Sequence, residues 1–598
     1  MRSVLDELTV RMQEAIRAIG LEGDPLVRVS QDQRYGDYQS NCAMGLAKQA
    51  GRKPRELAAR LVEHLRVSDL CEPPEIAGPG FINFRLRPDF LASLLGGIPP
   101  VSEPAGRRLG LSESDDPETV VVDLSSPNLA KEMHIGHLRS TVIGDCVARV
   151  LEFMGHRVYR ENHVGDWGTQ FGMLVAYLLR VRPETADNPD GLVIKDLESF
   201  YVEAKTLFDR DEAFKKEARE TVVRLQRGDP ATRRIWKAFC EESLRHCHRI
   251  YDRLGVTLID RGESYYTELM DEVVARLEKM REKQDDGFVR ISDGALCLFM
   301  EGFKTREGDP LPMIVRKADG GYNYATSDLA TLVHRVEHLG ARRIIYVVGA
   351  PQKQHFEMLF AAARRAGWVG DDVQLHHLAF GSVLDRNGRP FKTREGGAVK
   401  LKDVLDEAVQ RARRVIEQGS KEGRINRSFS AEEADRVAER VGIAAVKYFD
   451  LSHALNTDYR FDWDTMLSLE GNTAPYMLYA YARIRSIGRK GGVTFESLPA
   501  DAPLQLEHPA ELALARVLAR FAETVQAVAR DLKPNLLTEY LSELAKAFSR
   551  FYDKKQGVRV LDAPSEEVRT SRLRLCDLTA RALKLGLGLL GIETVEQM

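Results

Sequence analysis

The spacing of apolar residues changes twice along this chain. Near the N-terminus, Leu57, Leu61 and Leu65 recur every four residues after Pro54, which predicts an amphipathic helix with an early proline. The segment at 78–84, GPGFINF, is typical of a turn that leads into a strand. We therefore predict a small α+β domain over residues 1–108, with a polar linker at 112–118.

The middle of the chain alternates buried strands with helices. Residues 120–122 are three consecutive valines, a run suited to a buried parallel strand, and a helical pattern follows over 138–150. The run IIYVV at 344–348 predicts a second buried strand, followed by a helix at 356–366. This alternation predicts a doubly wound, Rossmann-like parallel sheet over residues 109–405, with a mostly helical insertion near 180–300.

Strand signals nearly vanish after residue 405. Apolar residues at helical spacing continue to the end of the chain, among them Leu575, Leu578, Ala582, Leu585 and Leu589. We predict a helical connection over 406–465 and an all-α domain over 466–598. The fold class is therefore multidomain α/β, with an α+β domain before the parallel sheet and an all-α domain after it.

Composition places the chain among globular proteins of several domains. Its 598 residues exceed one core, and 43% hydrophobic with 29% charged residues is an ordinary balance. No apolar run approaches the ~20 residues that span a bilayer, and the N-terminus, with Asp6 and Glu7, does not resemble a signal peptide. The seven cysteines include no C-x-x-C pair, so we expect a reducing, cytoplasmic setting and no membrane partner. The net charge of −3 neither favours nor excludes nucleic acid, because an acidic protein can carry basic faces.

The short motif HIGH at 134–137 follows the first predicted strand and begins a helix. A helix N-terminus presents free N–H groups and the positive end of its dipole, which suits phosphate. We expect His134 and His137 to donate hydrogen bonds to ATP phosphates as charge develops, and Gly136 to let the adenine approach the backbone. Two histidines in an ordinary helix cap are the alternative, because so short a motif is not specific by itself.

Longer blocks give this motif a family context. Residues 125–140, SSPNLAKEMHIGHLRS, resemble the nucleotide-binding signature of class I arginyl-tRNA synthetases. The blocks NHVGDWGTQFG at 162–172, GYNYATSD at 321–328 and EGNTAPYMLY at 470–479 resemble further signatures of the same family. The resemblance is colinear from Tyr35 to Met598, which makes coincidence implausible.

The resemblance implies a reaction in two steps. The arginine carboxylate attacks the α-phosphate of ATP with loss of pyrophosphate, and the activated arginine then passes to the terminal adenosine of tRNA(Arg). It implies ATP with Mg²⁺, no protein nucleophile, no tightly bound protein-ligated metal, and tRNA bound before arginine is activated. We expect a monomer.

The expected arginine pocket needs carboxylates and neutral acceptors, because a guanidinium offers five donors. By resemblance, the contacts to arginine come from Asp123, Asn128, Tyr324, Asp328 and Gln352. Tyr324 and Asp328 are four residues apart on one helical face, and Gln352 follows a strand at the end where such sheets bind ligands. Without the resemblance, a helix-capping aspartate is the simpler interpretation of Asp328.

The second class I signature, KMSKS, is degenerate in this chain. The corresponding residues 390–394 are PFKTR, so Thr393 stands where the second lysine is expected. We expect the neighbouring Lys392 and Arg394 to bind ATP, with Lys392 contributing to catalysis. By resemblance, Lys131 before the first signature supplies the missing charge; otherwise it is an exposed loop lysine.

The helical last third carries the expected anticodon contacts. By resemblance these are Asn472, Tyr476, Tyr479, Phe548, Tyr552 and Met598. We expect Asn472, Tyr476 and Tyr479 to share one helical face, on which exposed tyrosines stack against unpaired bases. For Phe548, a place in the helix-bundle core is the alternative. The block GDYQSN at 36–41 resembles the family's N-terminal domain, which contacts the outer corner of tRNA.

Cys240, His246, Cys247 and His248 first suggest zinc, but their spacing does not suit a tetrahedral site, so we expect no metal site.

Three other functions stay open at this stage: another H-x-G-H nucleotidyltransferase, a class I synthetase for a different amino acid, and a non-catalytic tRNA-binding protein. The long helical C-terminal domain disfavours the first, and the Asp328 carboxylate favours a cationic amino acid over others. The intact His134, Gly136 and His137 argue against a decayed site.

Overall fold

The structure, a computed structural model, describes residues 3–598 except 284–285, 392–398, 422–428, 554 and 556–557. The chain folds into two compact units. Unit 1 comprises Met1–Glu113, Arg411–Ser452 and Asp464–Met598, and unit 2 comprises Ser114–Gln410 and His453–Trp463. The two ends of the chain therefore belong to one unit and its middle to the other. None of the described helices is long and apolar enough to cross a membrane.

The N-terminal part of unit 1 is an antiparallel sheet with helices. The strands, in the order β1-β2-β4-β3, are β1 (Val27–Val29), β2 (Tyr38–Ser40), β3 (Glu75–Ala77) and β4 (Phe81–Phe84). The helices are α1 (Val4–Ala18), α2 (Cys42–Ala50), α3 (Pro54–His64), α4 (Pro88–Gly96) and α5 (Pro104–Arg107). Helix α3 begins at the predicted proline and buries Leu57 and Leu61, so the apolar spacing identified this helix correctly.

Unit 2 is built on a parallel sheet of five strands. Unit 2 as a whole contains the strands β5 (Thr119–Asp123), β6 (Arg157–Val164), β7 (Ile259–Gly262), β8 (Val289–Ser292), β9 (Ala295–Lys304), β10 (Pro310–Arg316), β11 (Arg343–Tyr346), β12 (Gln374–His377), β13 (Val383–Leu384) and β14 (Tyr459–Arg460). The sheet order is β7-β6-β5-β11-β12, with every neighbouring pair parallel. This order reverses between β5 and β11, and open α/β sheets bind ligands at such a point, beyond the carboxyl ends of the strands. The doubly wound prediction is confirmed.

Helices cover this sheet and its insertion. They are α6 (Ile135–Phe153), α7 (Thr169–Val181), α8 (Leu197–Arg210), α9 (Glu212–Gln226), α10 (Pro230–Leu254), α11 (Thr267–Lys283), α12 (Tyr324–Glu337) and α13 (Lys353–Arg365). Helix α14 (Leu401–Lys421) begins in unit 2 and ends in unit 1. The three valines of β5 are fully buried, which explains the unbroken apolar run that predicted the strand.

The predicted helical insertion near 180–300 needs correction. It is helical as far as Leu254, but β7 then joins the parallel sheet as an edge strand. Strands β8, β9 and β10 form a separate antiparallel sheet. Strand β7 is short and none of its residues is fully buried, so it has no apolar run that sequence patterning detects.

The C-terminal part of unit 1 is helical, as predicted. Its helices are α15 (Ala431–Leu451), α16 (Trp463–Met466), which begins at the last residue of unit 2, α17 (Ala474–Lys490), α18 (Pro509–Ala519), α19 (Phe521–Asp531), α20 (Asn535–Phe551) and α21 (Glu566–Leu589). Helix α17 packs against α15, α20 and α21, and α18 packs against α4 of the N-terminal part. The two ends of unit 1 also share a buried hydrogen bond, from the Tyr38 hydroxyl to Glu523 at 3.0 Å.

Candidate active site

The chain turns sharply between β5 and α6, at the reversal point of the sheet. Ser125 and Ser126 both have positive φ, 69° and 49°, a conformation that costs non-glycine residues of order 1–3 kcal/mol each. The Ser125 amide donates to Ser140 Oγ at 2.8 Å, and the Ser125 hydroxyl lies 2.8 Å from that of Tyr251. The Ser126 amide donates to Asn162 Oδ1 at 2.9 Å. Side chains from three other elements therefore hold the strained turn that leads to the HIGH motif.

The two histidines of the motif cap α6 reciprocally. His134 is the N-cap, and its Nδ1 accepts from the Gly136 amide at 3.1 Å; His137 Nδ1 accepts from the His134 amide at 3.0 Å. Since an amide only donates, Nδ1 is the unprotonated nitrogen of both rings, and each neutral ring carries its hydrogen on Nε2. The capping alternative and the phosphate-binding prediction are therefore compatible, because capping leaves one N–H donor on each ring.

Burial keeps these donors neutral. It lowers the pKa of His137 to about 3, with a smaller contribution from the His134 ring, whose centroid is 4.0 Å away. Burial also lowers the pKa of His134, and Lys131 adds to this effect. A Cβ placed on Gly136 would lie 2.8 Å from Cε1 of His134. The glycine is therefore required by the position of the histidine ring, in addition to any approach of adenine.

Of the cations predicted to bind ATP, Lys131 lies among the residues that the structure describes. Lys131 is exposed, and its ammonium lies 4.4 Å from the centroid of the Tyr201 ring on α8. Lys392 and Arg394 lie outside the described residues.

Asp123, the last residue of β5, is buried and engaged by its own chain. Arg335 donates to Asp123 Oδ2 at 2.7 Å and to Glu161 Oε2 at 2.8 Å. The Ser126 hydroxyl donates to Asp123 Oδ1 at 2.8 Å, and Arg261 donates to Glu161 at 2.5 Å. Asp123 therefore supports the turn, with both of its oxygens accepting hydrogen bonds, and its predicted direct contact with arginine stays a prediction.

Asp328 lies in the second turn of α12 with one carboxylate oxygen held. His355 Nε2 is 2.6 Å from Asp328 Oδ2, whereas His163 Nε2 is 3.9 Å from Oδ1, too far for a hydrogen bond. Tyr324, one turn earlier, is 63% exposed, and its ring meets that of His355 edge-on. The helix-capping interpretation of Asp328 is wrong, because the N-cap of α12 is Asn323.

The other two predicted pocket residues follow strands of the same sheet. Gln352 is exposed at the end of a 3-10 turn directly after β11. Asn128 is also exposed; its Oδ1 accepts from the Ala130 amide at 2.9 Å, and its backbone forms a bridge with Gly165, just beyond β6. Predicted residues from three chain segments therefore lie at the carboxyl edge of the sheet.

Two polar side chains beside Asp328 were missed by sequence reasoning. Glu263 directly follows β7; burial raises its pKa to about 7, and the charges of Asp328 and Asp166 add to the shift. His163 lies near the end of β6, inside the block at 162–172, but no role in a pocket follows from that block until the strand order is known. Glu263 had no signal, because β7 fell inside the predicted helical insertion.

The predicted anticodon residues do not all share one helical face. Asn472 precedes α17, whose N-cap is Thr473, and its Oδ1 accepts from the Tyr448 hydroxyl at 2.7 Å. This corrects the predicted shared face, because Asn472 lies before α17 and its side chain bonds to Tyr448 of α15. Tyr476 and Tyr479 are on α17, and each is half-buried.

Phe548 is 1% exposed and belongs to the helix-bundle core, so its prediction as a contact residue is wrong and the core alternative is right. Tyr552 is half-buried, and its ring stacks on that of Phe548 with centroids 6.0 Å apart. The guanidinium of Arg483 lies 4.9 Å from the centroid of the Tyr552 ring. Met598 is half-buried.

Comparison with known proteins agrees with this architecture along the whole chain. Three family models match: the arginyl-tRNA synthetase N-terminal domain at residues 6–86, the catalytic domain of class I tRNA synthetases (R) at 105–463, and the DALR anticodon-binding domain at 477–598. Two curated relatives are the arginine–tRNA ligase of Nostoc sp., 51% identical over 602 residues, and that of Nostoc punctiforme, 50% identical over 602 residues; each match covers 100% of both chains.

Two solved structures also resemble this chain. The arginyl-tRNA synthetase of Plasmodium falciparum matches with a TM-score of 0.85 at 29% identity, over 100% of both chains. That of Thermus thermophilus matches with a TM-score of 0.80 at 24% identity, again over 100% of both chains, and supports the fold alone.

Proposed function

Because this chain belongs to the class I arginyl-tRNA synthetases, we propose that the crevice at the reversal point of its parallel sheet is the active site. The enzyme joins arginine to tRNA and converts ATP to AMP and pyrophosphate. The observation that carries the site assignment is a group of acceptors fit for a guanidinium. Within the described residues, Asp328 Oδ1 has no hydrogen bond, its ion-pair neighbour being His163 Nε2 at 3.9 Å, and the carboxyl of Glu263 lies within reach of the Asp328 charge.

For ATP, we propose that His134 and His137 donate from Nε2–H to phosphate oxygens. Both rings are already oriented by the helix cap and are neutral, so they need little reorganisation when charge develops. Lys131 adds a cation to the same loop, and Lys392 and Arg394 of the degenerate signature are proposed to assist it. Mg²⁺ enters as part of the ATP substrate, with the phosphate oxygens as its ligands.

For arginine, we propose that the guanidinium is bound by Asp328 and Glu263, with Asn128, Tyr324 and Gln352 as further contacts. A guanidinium carries a fixed positive charge and five donors, which suits two carboxylates better than a neutral side chain would. Asp123 acts indirectly, since it holds the turn that carries Asn128.

The chemistry follows without a protein nucleophile. A carboxylate oxygen of arginine attacks the α-phosphorus, the bond to the bridging oxygen breaks, and pyrophosphate leaves with the electron pair. In the second step, a hydroxyl of the terminal adenosine of tRNA attacks the arginyl carbonyl carbon, and AMP leaves. The chain contributes orientation and charge stabilisation in both steps.

For tRNA, we propose anticodon contacts through Asn472, which precedes α17, and through Tyr476, Tyr479, Tyr552 and Met598. Aromatic faces stack on unpaired bases of any sequence, and Arg483 beside Tyr552 adds positive charge for the backbone. The block at 36–41 in the N-terminal part is proposed to contact the outer corner of the tRNA.

We further propose that the enzyme is a cytoplasmic monomer, because its tRNA and ATP substrates are found there and no second chain is needed to complete the proposed pocket. Light scattering at assay concentration should give a mass near 67.3 kDa. A mass of twice that value would contradict the monomer.

The function is tested by charging total tRNA with each of the twenty amino acids in turn. Only arginine should be attached, and attachment should require ATP. Attachment of another amino acid would favour a synthetase of different specificity, and tRNA binding without any charging would favour a non-catalytic tRNA-binding protein.

A further inference from the structure

His163 is a buried polar residue that the fold leaves without hydrogen bonds. It lies in β6, in register with Arg261 of β7, and its side chain is 12% exposed. Both ring nitrogens are shielded from solvent and have no hydrogen-bond partner among the described residues. Each such group costs about 1–3 kcal/mol when buried. The nearest aromatic neighbour, Tyr266, has its ring centroid 5.6 Å away and does not satisfy the nitrogens.

A carboxylate oxygen lies beside His163. Its Nε2 is 3.9 Å from Asp328 Oδ1, a separation that is too long for a direct hydrogen bond and that one donor atom bonded to both would bridge. The other oxygen of Asp328 already lies 2.6 Å from His355 Nε2. The half-buried carboxyl of Glu263 is near enough to feel the charge of Asp328, so the donor that fits here is positively charged.

We propose that His163 accepts a hydrogen bond from the guanidinium of the substrate, so that one terminal nitrogen of arginine donates to Asp328 Oδ1 and to His163. This inference rests on the proposed function of the pocket. A terminal guanidinium nitrogen carries two hydrogens in a fixed plane and can serve both acceptors, whereas the ammonium of lysine is carried on a differently shaped stem and lacks the planar fork. His163 is therefore a specificity-determining residue, which binds the side-chain end of the substrate and takes no part in the attack on ATP.

The test compares His163→Phe, which keeps a ring but removes both nitrogens, with His163→Gln, whose amide oxygen can reach the place of Nε2. The Phe variant should raise KM for arginine roughly 10- to 100-fold, the effect of losing a hydrogen bond to a charged group, with kcat changed less than about threefold. The Gln variant should stay within about fivefold of wild type. His163→Asn, whose amide is too short to reach, should behave like Phe and replaces it if Phe does not fold.

A readout of stability separates binding from structure. Because His163→Phe removes two unsatisfied polar atoms, Tm of the ligand-free protein should not fall, while the rise in Tm caused by arginine alone should be lost. The matched control is His156→Phe, since His156 Nδ1 accepts from the Glu118 amide at 3.1 Å in the same unit. That variant should lower Tm and leave KM for arginine unchanged.

Asp328→Asn, measured in parallel, distinguishes failure of the inference about His163 from failure of the pocket assignment. If Asp328→Asn raises KM for arginine and His163→Phe does not, the inference about His163 is overturned and the pocket stands. If neither variant changes KM, the pocket assignment itself is overturned. A fall in ligand-free Tm for His163→Phe with unchanged arginine binding would make His163 a structural residue and also overturn the inference.

Discussion

Asp328 carries the charge on which selection of arginine is expected to depend. Asp328→Asn keeps the size and one oxygen for His355 but removes the negative charge. We expect a loss of roughly 2–4 kcal/mol in transition-state binding of arginine, as for a broken charge pair, with little change in KM for ATP. Steady-state aminoacylation gives both constants, and an unchanged kcat/KM for arginine would contradict the assignment.

Glu263 should make arginine binding depend on pH. In the ligand-free pocket the pKa of this carboxyl is about 7, raised chiefly by burial, so the group binds a proton below pH 7. The guanidinium favours the charged carboxylate and lowers that pKa, so binding releases a proton below pH 7 and not well above it. The dissociation constant for arginine should therefore rise up to about tenfold per pH unit below 7 and level off above it.

Calorimetry from about pH 5.5 to about pH 8.5 measures this dependence, and repeating it in buffers of different ionisation enthalpy counts the protons released. Glu263→Gln should bind arginine more weakly, and its dissociation constant should not rise as the pH falls below 7. A rise at the same pH in the Gln variant would assign the titration to another group.

Sequence reasoning predicted residues of the proposed pocket where a family motif marked them. It missed residues that only the strand order brings to the pocket. Asp328 and Tyr324 share a helical face that spacing alone reveals. Asp123 was predicted by resemblance from its place at the end of the first strand, yet its oxygens accept from Ser126 and from Arg335, and Arg335 lies 212 positions away where no local pattern indicates it. Glu263 reaches the pocket only because β7 pairs with β6, a long-range fact.

At the scale of elements, the first turn of α6 is expected to be more sensitive to a methyl group than its exposure suggests. Alanine is intrinsically better than glycine in a helix by up to about 1 kcal/mol, which offsets much of the cost of a displaced His134 cap, so Gly136→Ala should change Tm little. The new Cβ would, however, lie 2.8 Å from His134 Cε1 and displace the ring that carries the donor. We expect adenylate formation to slow by a factor on the order of 10 to 100.

Pyrophosphate exchange with tRNA present, together with thermal unfolding, checks this prediction. Gly588→Ala is the matched control, because a Cβ on this glycine of α21 meets nothing within 4 Å. It should leave both activity and stability near wild type. Full activity in Gly136→Ala would show that the position of the His134 ring is not required.

The elements that were predicted well are those with a strong apolar pattern. The valines of β5 are buried where periodicity placed them, and so are the predicted residues of α21 except the half-buried Leu585. Strand β7 escaped detection because it is a short edge strand with no fully buried residue. The cap of α6 was anticipated only as an alternative for the HIGH motif, because reciprocal bonding through histidine Nδ1 atoms is not the usual capping chemistry of Ser, Thr, Asp or Asn.

At the scale of the molecule, patterning gave the sequence of domains but not their grouping. The α+β part at the N-terminus and the helical part at the C-terminus were predicted as separate domains, yet they pack into one unit through α4 and α18 and through Tyr38 and Glu523. The hydroxyl of Tyr38 and the carboxylate of Glu523 are 485 positions apart along the chain, so neither local propensity nor periodicity carries that contact.

This grouping separates the proposed tRNA contacts of unit 1 from the chemistry of unit 2, and we expect tRNA to couple them. Remote binding energy spent on completing a catalytic site is induced fit, and it makes activation depend on the correct tRNA.

Arginine-dependent ATP–pyrophosphate exchange should therefore be slow without tRNA(Arg) and fast with it. Tyr476→Ala should weaken the stimulated rate at limiting tRNA, although Tyr476 belongs to unit 1. Tyr476→Phe is the control, because it removes only the hydroxyl that lies 3.0 Å from Ser549 Oγ and keeps the ring for stacking; it should stay near wild type. Rapid exchange in the complete absence of tRNA would refute the coupling and leave the arginine pocket untouched, because the pocket is defined by unit 2 alone.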